Sequence, residues 1–278
     1  MRPSAFILLS LMLACGALPA AAEQPHVSNA KLTSRAHSGS LASEWQRVTG
    51  PAWIGYAMPA ARPGSNSCCW NDRSRGCNLE GGHGNTVIGN GKDAPSRPVK
   101  LEGSPEISVL VRVARGEVQK ISVFSADCEL DAGGLPFIWL TGVGTGESAA
   151  FLEASAHKGA LVALALQGGK ESETSLIRLA RESQTGHRRG EALFWLAQRA
   201  SDKAVGAIDE ALQKDPDTDV KKQAVFALSQ LPKDEGVPKL IDVARSNRNS
   251  AVRKQAFFWL GQCNDPRAFR FLEETLTR

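Results

Sequence analysis

Three stretches of the chain match one another at an offset of 32 residues, and this constrains the fold more than any other feature of the sequence. Glu191-Ala192-Leu193-Phe194-Trp195-Leu196-Ala197-Gln198 aligns with the stretch from Gln223 to Gln230 and with Gln255-Ala256-Phe257-Phe258-Trp259-Leu260-Gly261-Gln262. A weaker copy carries Ala160, Val162 and Leu164, which takes the register back to about His157. A second column at the same offset holds Leu176, Ile208, Leu240 and Leu272, each followed four residues later by Ala180, Leu212, Ala244 or Leu276. Residues four apart share one side of a helix, so every unit reads as two amphipathic helices. In the second unit the spacing predicts helices over 188–198 and 203–214, with a break at Asp215-Pro216, because proline lacks the amide a helix interior needs. Asp202 and Asp234 stand where a carboxylate can cap the second helices.

One pair of short helices cannot bury both of its apolar faces, whereas stacked pairs share a continuous core. The column Ala160, Ala192, Ala224 and Ala256 then permits close packing beside larger Phe and Leu columns. On this reading Phe226 is a core residue whose truncation costs about 3 to 5 kcal/mol. Trp195 and Trp259, two repeat periods apart, read as a shared core position.

Two stretches, Asp219-Val220-Lys221-Lys222-Gln223-Ala224-Val225-Phe226-Ala227-Leu228 and the run from Asn249 to Leu260, resemble HEAT-like repeat proteins, including the short bacterial repeats grouped with phycocyanobilin lyases. The resemblance covers about residues 150–278. It implies an α-solenoid of about four repeats and a role in protein binding. The lyase activity of some such relatives has no catalytic set here to carry it. Equivalent residues of a solenoid align along one surface, so the column His157, Arg189, Lys221 and Arg253 is a candidate basic ridge for an acidic protein or anionic polymer. Ordinary solvated surface charge is the alternative reading of the same column.

The chain upstream has a different character. From Gly50 to Pro105 there are ten Gly and six Pro, which favours turns over long helices. Ile107–Val113 and Val118–Phe124 are rich in β-branched residues and flank Arg115-Gly116-Glu117, the pattern of a β-hairpin. Val87-Ile88 and Phe137–Leu140 are further candidate strands. Gly142, Gly144 and Gly146 mark residues 141–150 as the junction into the solenoid. The expected fold class is therefore mixed α and β, with a small Gly/Pro-rich β module at 50–149 preceded by a segment at 23–49.

Residues 1–22 read as a secretory signal: Arg2 is followed by an apolar run and by the small residues Ala20-Ala21-Ala22. The run is shorter than the roughly 20 residues a membrane-spanning helix needs, and no second apolar span follows. Leu11-Met12-Leu13-Ala14-Cys15 offers an alternative, a lipoprotein anchored through Cys15. Export to a bacterial periplasm or cell envelope would let disulfides persist. Cys68 and Cys69 each seek a distant partner, Cys77 and Cys128 are the candidates, and Cys263 is left unpaired. Cys68, Cys69, Cys77 and His83 lack paired C-x-x-C spacing, so no metal site and no cofactor is expected.

A formal charge of +4, from 33 basic and 29 acidic residues, does not demand nucleic acid, and none is expected as a partner. Thr141–Gly146 lacks the lysine of a phosphate loop, and no Cys-His pair has a local catalytic context. The expected function is an exported protein-interaction or assembly scaffold. The alternative is an envelope enzyme with its site between the two modules.

Overall fold

The computed structural model describes residues 24–64, 68, 77–81 and 103–277. The Val87-Ile88 strand, the signal, and Cys15, Cys69 and His83 lie outside the described residues. The β-rich part holds β1 (His26–Ser28), β2 (Leu32–Ala36), β3 (Ala52–Pro59), β4 (Cys77–Asn78), β5 (Glu106–Ala114), β6 (Glu117–Ser125), β7 (Glu129–Asp131) and β8 (Phe137–Thr141), with a short helix α1 (Leu41–Gln46). A five-stranded sheet runs in the order β2-β8-β3-β5-β6, and a small sheet in the order β1-β7-β4. The expected hairpin is β5–β6, closed at Arg115 and Gly116. Phe137–Leu140 lies in β8.

Two features of this part differ from the sequence reading. The segment 23–49 supplies β1, β2 and α1, with β1 pairing parallel to β7 and β2 parallel to β8. The stretch from Ala52 to Pro59 forms the central strand, antiparallel to β5 and parallel to β8, inside a region whose glycines and prolines suggested turns. Gly55 is a packing notch: a Cβ there would fall 2.8 Å from Leu110 and 2.9 Å from the Trp139 ring. The large sheet is covered on both faces. Trp53, Leu110, Phe124, Phe137 and Trp139 pack with Leu130 and Cys77 of the small sheet, while Ile54, Tyr56, Val109, Val111 and Ile121 face the helices. Burial on both sides explains why β3 and β5 read as nearly continuous apolar runs with little alternation.

The helices follow as α2 (Thr145–Ala154), α3 (Lys158–Leu166), α4 (Lys170–Glu182), α5 (Gly186–Arg199), α6 (Asp202–Lys214), α7 (Thr218–Ser229), α8 (Lys233–Ser246), α9 (Ser250–Gln262) and α10 (Pro266–Leu276). The glycine-rich 141–150 stretch is thus a short loop followed directly by α2. The N-cap of α6 is Ser201, whose side chain accepts from the Ala204 amide, and Pro232 precedes α8; Asp202 and Asp234 stand in first turns, where they favour the positive helix end. The Ala160, Ala192, Ala224 and Ala256 column is completely buried, as are Leu176, Ile208 and Leu240. Leu272, the same position in the last unit, is half-buried against the core, and Leu276 one turn further on is 86% exposed.

Sheet and solenoid share one core, which runs from Leu41 to Phe271. α3 lies directly on β6, and α2 is held by polar groups. Tyr56 Oη is 3.0 Å from Ser148 Oγ, which donates to Gln167 Oε1 at 2.6 Å. The two His37 ring nitrogens face Glu44 at 3.2 Å and Glu147 at 2.9 Å, and Glu147 also accepts from the Leu41 amide. Burial alone would raise the Glu44 carboxyl, but hydrogen bonds from Arg35, the Ser38 amide and His37, together with the Arg35 charge, hold it below the ordinary value.

Asp215 and Asp265 are lowered as well. Hydrogen bonds from Arg189 and the Asp217 amide outweigh burial at Asp215, and those from the Arg267 side chain and amide bring Asp265 to about 2. Folded values below unfolded ones contribute stability that is full above the unfolded pKa and fades as pH falls through the folded pKa. The thermal midpoint is therefore expected to stay level from neutral pH to about 5 and to drop steadily from about 4 towards 2. Scanning calorimetry across that range checks it, and a midpoint unchanged at acid pH would refute the assignment.

Candidate functional site

α5 packs on α7 and α7 on α9, whereas α6 and α8 are not packed on each other to a comparable degree, so the closely packed first helices of the units form the inner layer of the stack. The surface of this layer is written in the 32-residue repeat. A helix places residues four apart in one row, about 6 Å from one to the next. On α7 the outward row is Lys222 and Phe226, continued by Gln230 at its C-cap; on α9 it is Lys254, Phe258 and Gln262; on α5 it is Phe194 and Gln198, the position equivalent to the lysines being the buried Gly190. Across the layer these become three parallel lanes: a basic one, an aromatic one and an amide one.

The aromatic lane is continuous. Phe194 stacks on Phe226 at 5.7 Å with planes 3° apart, Phe226 meets Trp259 at 4.9 Å, and Phe258 meets Trp259 edge-on at 5.0 Å. Trp195 joins through Phe194 at 5.0 Å. Such ring pairs add about 0.5 to 1.5 kcal/mol each beyond area burial. Phe194, Phe226 and both tryptophans are half-buried, and Phe258 is 53% exposed. The expectation that the Phe column is part of the core is corrected here, whereas Trp195 and Trp259 are partly buried and pack against the core edge. At 100° per residue, position 226 lies about 200° around the helix from Ala224, so the two cannot share one apolar face. That angle was available in the sequence and identifies the lane without coordinates.

The basic column His157, Arg189, Lys221 and Arg253 sits one residue before the outward row and turns towards the junction between units. Arg189 donates to Asp215 through Nε at 2.7 Å and Nη2 at 3.0 Å, and to the Ser183 carbonyl at 2.8 Å. Lys221 reaches the Gln213 carbonyl at 3.1 Å, and Arg253 the Asn247 carbonyl at 2.7 Å. His157 occupies the N-cap position of α3 without a side-chain cap bond. Three of the four thus satisfy carbonyls at the C-terminal end of the preceding second helix, where positive charge also favours the helix dipole. They are clamps between units, and the side chains projecting from the inner face are those of Lys222 and Lys254.

Cys68 and Cys128 form a disulfide with Cα atoms 5.4 Å apart, and Cys77 is also disulfide-bonded. Asp127 lies beside Cys68 and Cys128, but bonded sulfurs have no thiolate to offer a metal. Cys263 is a free thiol that donates to the Leu260 carbonyl, with its pKa raised by burial. No helix among the described residues is long and apolar enough to cross a membrane.

Stacked helical pairs with an open, side-chain-lined inner layer define an α-solenoid of the kind that serves protein interaction. The family of HEAT repeats matches residues 173–257 and again 207–278, so the C-terminal part of this chain is a HEAT-repeat solenoid joined to an N-terminal β module. None of the curated proteins is detectably similar in sequence to the chain.

Proposed function

We propose that this protein is an exported assembly scaffold whose inner solenoid face, centred on Phe194, Phe226 and Phe258, holds a partner protein, with the β module closing one end of the stack. The observation that carries this reading is the unbroken aromatic lane on the outward helix row, whose rings stack on one another yet keep part of their surface open to solvent. Aromatic side chains supply large contact area at low entropic cost and are enriched at interface cores. Export is supported by the leader-like residues 1–22 and by disulfides that a reducing compartment would not maintain. The periplasm or cell envelope is the proposed site, with anchoring through Cys15 as the lipoprotein variant.

The test is a photoreactive phenylalanine analogue at position 226 in the native cell. A covalent adduct with one defined partner is expected, and it should vanish when Phe194→Ser and Phe258→Ser are added. The same digest reports the mature N-terminus, expected at Glu23, or a lipidated Cys15 for the anchored form. An adduct that persists in the serine variant, or none at all, overturns the inner-face reading; a chain still beginning at Met1 overturns export.

A further inference from the structure

We propose that the segment held on this face is extended and carries acidic as well as apolar side chains, its apolar residues on the aromatic lane and its acidic ones towards Lys222 and Lys254. The inference rests on the inner-face reading and concerns the chemistry of what binds there. Three observations on the lanes point to it. The first is charge: Lys254 is exposed, with no carboxylate within bonding distance among the described residues, and Lys222 meets only Asp219 at 2.6 Å, a surface pair whose acid is 80% exposed. Exposed pairs of this kind contribute little and exchange readily for a better-placed anion. A ligand with carboxylates along that edge would gain from both lysines.

The second observation is the amide lane. Each of its side chains offers both donor and acceptor groups. Gln230 and Gln262 are exposed. A helical ligand has already satisfied its own backbone, whereas an extended one brings unpaired amides and carbonyls that need such partners. The third is span. Three neighbouring helices about 9 Å apart present roughly 18 Å of lane, which some six extended residues cover. Apolar side chains at every second position would then fall on the rings about 7 Å apart. Complementary charge at the edge sets orientation and encounter rate, and the aromatic centre sets most of the affinity.

The experiment is selection from a random library of displayed peptides on the purified full-length protein, repeated on Lys222→Glu/Lys254→Glu and on Phe194→Ser/Phe226→Ser/Phe258→Ser. Both sets of changes lie on the solvent-facing row, and thermal melting verifies that the variants fold; Phe258→Ser alone replaces the triple variant if it does not. The expected peptides combine Phe, Leu or Trp at alternate positions with an excess of Asp and Glu. Synthetic copies should bind about tenfold more weakly to the lysine-reversed protein, weaken with added salt, and fail to bind the serine variant. Peptides that need the phenylalanines but show no acidic excess and ignore the lysine reversal would overturn this inference while leaving the inner-face reading intact. Apolar residues recurring at three- and four-residue spacing would mean a helical ligand and overturn the extended form. Selection that ignores the phenylalanines, or yields nothing above a control protein, removes the inner-face reading and this inference with it.

Discussion

Replacing Arg189 with alanine is expected to lower stability by about 3 kcal/mol, the loss found when one partner of a buried ion pair is removed. The Arg189 and Asp215 side chains are only 12% and 6% exposed. Without the guanidinium, Asp215 keeps the Asp217 amide as a hydrogen-bond donor at 2.9 Å but loses its counter-charge, and the Ser183 carbonyl at the end of α4 loses its donor. For a chain of this length the thermal midpoint should fall by about 5 °C. Lys222→Ala and Lys254→Ala, which remove charge from the neighbouring outward row, should each change stability by no more than about 0.5 kcal/mol. Denaturant titration of the three variants separates clamp from surface. If Arg189→Ala melts with the wild type, the pair is not what joins these units, and the ridge reading of the column regains its ground.

Gly159→Ala should be equally costly, about 3 kcal/mol, although alanine in a helix normally gains about 1 kcal/mol over glycine. The second residue of α3 lies so close to β6 that an added Cβ would fall 1.9 Å from the Ile121 carbonyl oxygen and 2.8 Å from its carbon, both backbone atoms that cannot rotate away. The methyl group must push the first solenoid helix off the sheet. Gly206 in α6 is the matched control: nothing lies within 4 Å of a Cβ there, so Gly206→Ala should stabilise by about 0.5 to 1 kcal/mol. Opposite signs for the same substitution in two helices, measured by urea unfolding, would verify the contact between α3 and β6. A neutral or stabilising Gly159→Ala would mean that α3 is not seated on the strand.

The same contact shows why the N-terminal part was harder to read than the repeats. Gly55 carried a turn signal because glycine usually marks turns, yet it lies mid-strand to make room for Trp139 and Leu110. The need for that room arises from β8 and β5, neither of which is near Gly55 in the chain. Likewise, nothing local in Leu32–Ala36 announces that it pairs in parallel with Phe137–Thr141, a partner about a hundred residues away. The hairpin β5–β6 was legible because its two strands are joined by their own turn.

In the repeat half the legibility was high and the error was one of rotation. The 32-residue offset marked the helices, the buried alanine column and the basic and aromatic columns alike, but a step of one residue turns a side chain by about 100°. Arg189, Lys221 and Arg253 therefore face the carbonyl ends of neighbouring helices, while Lys222 and Lys254 one step later project from the inner face. By itself the sequence determined that paired helices stack, since short amphipathic helices repeated in register have no other way to bury their apolar stripes. Only the tertiary structure decided which columns remain outside that burial, because exposure depends on where the next helix lies and no single helix encodes its neighbour's position.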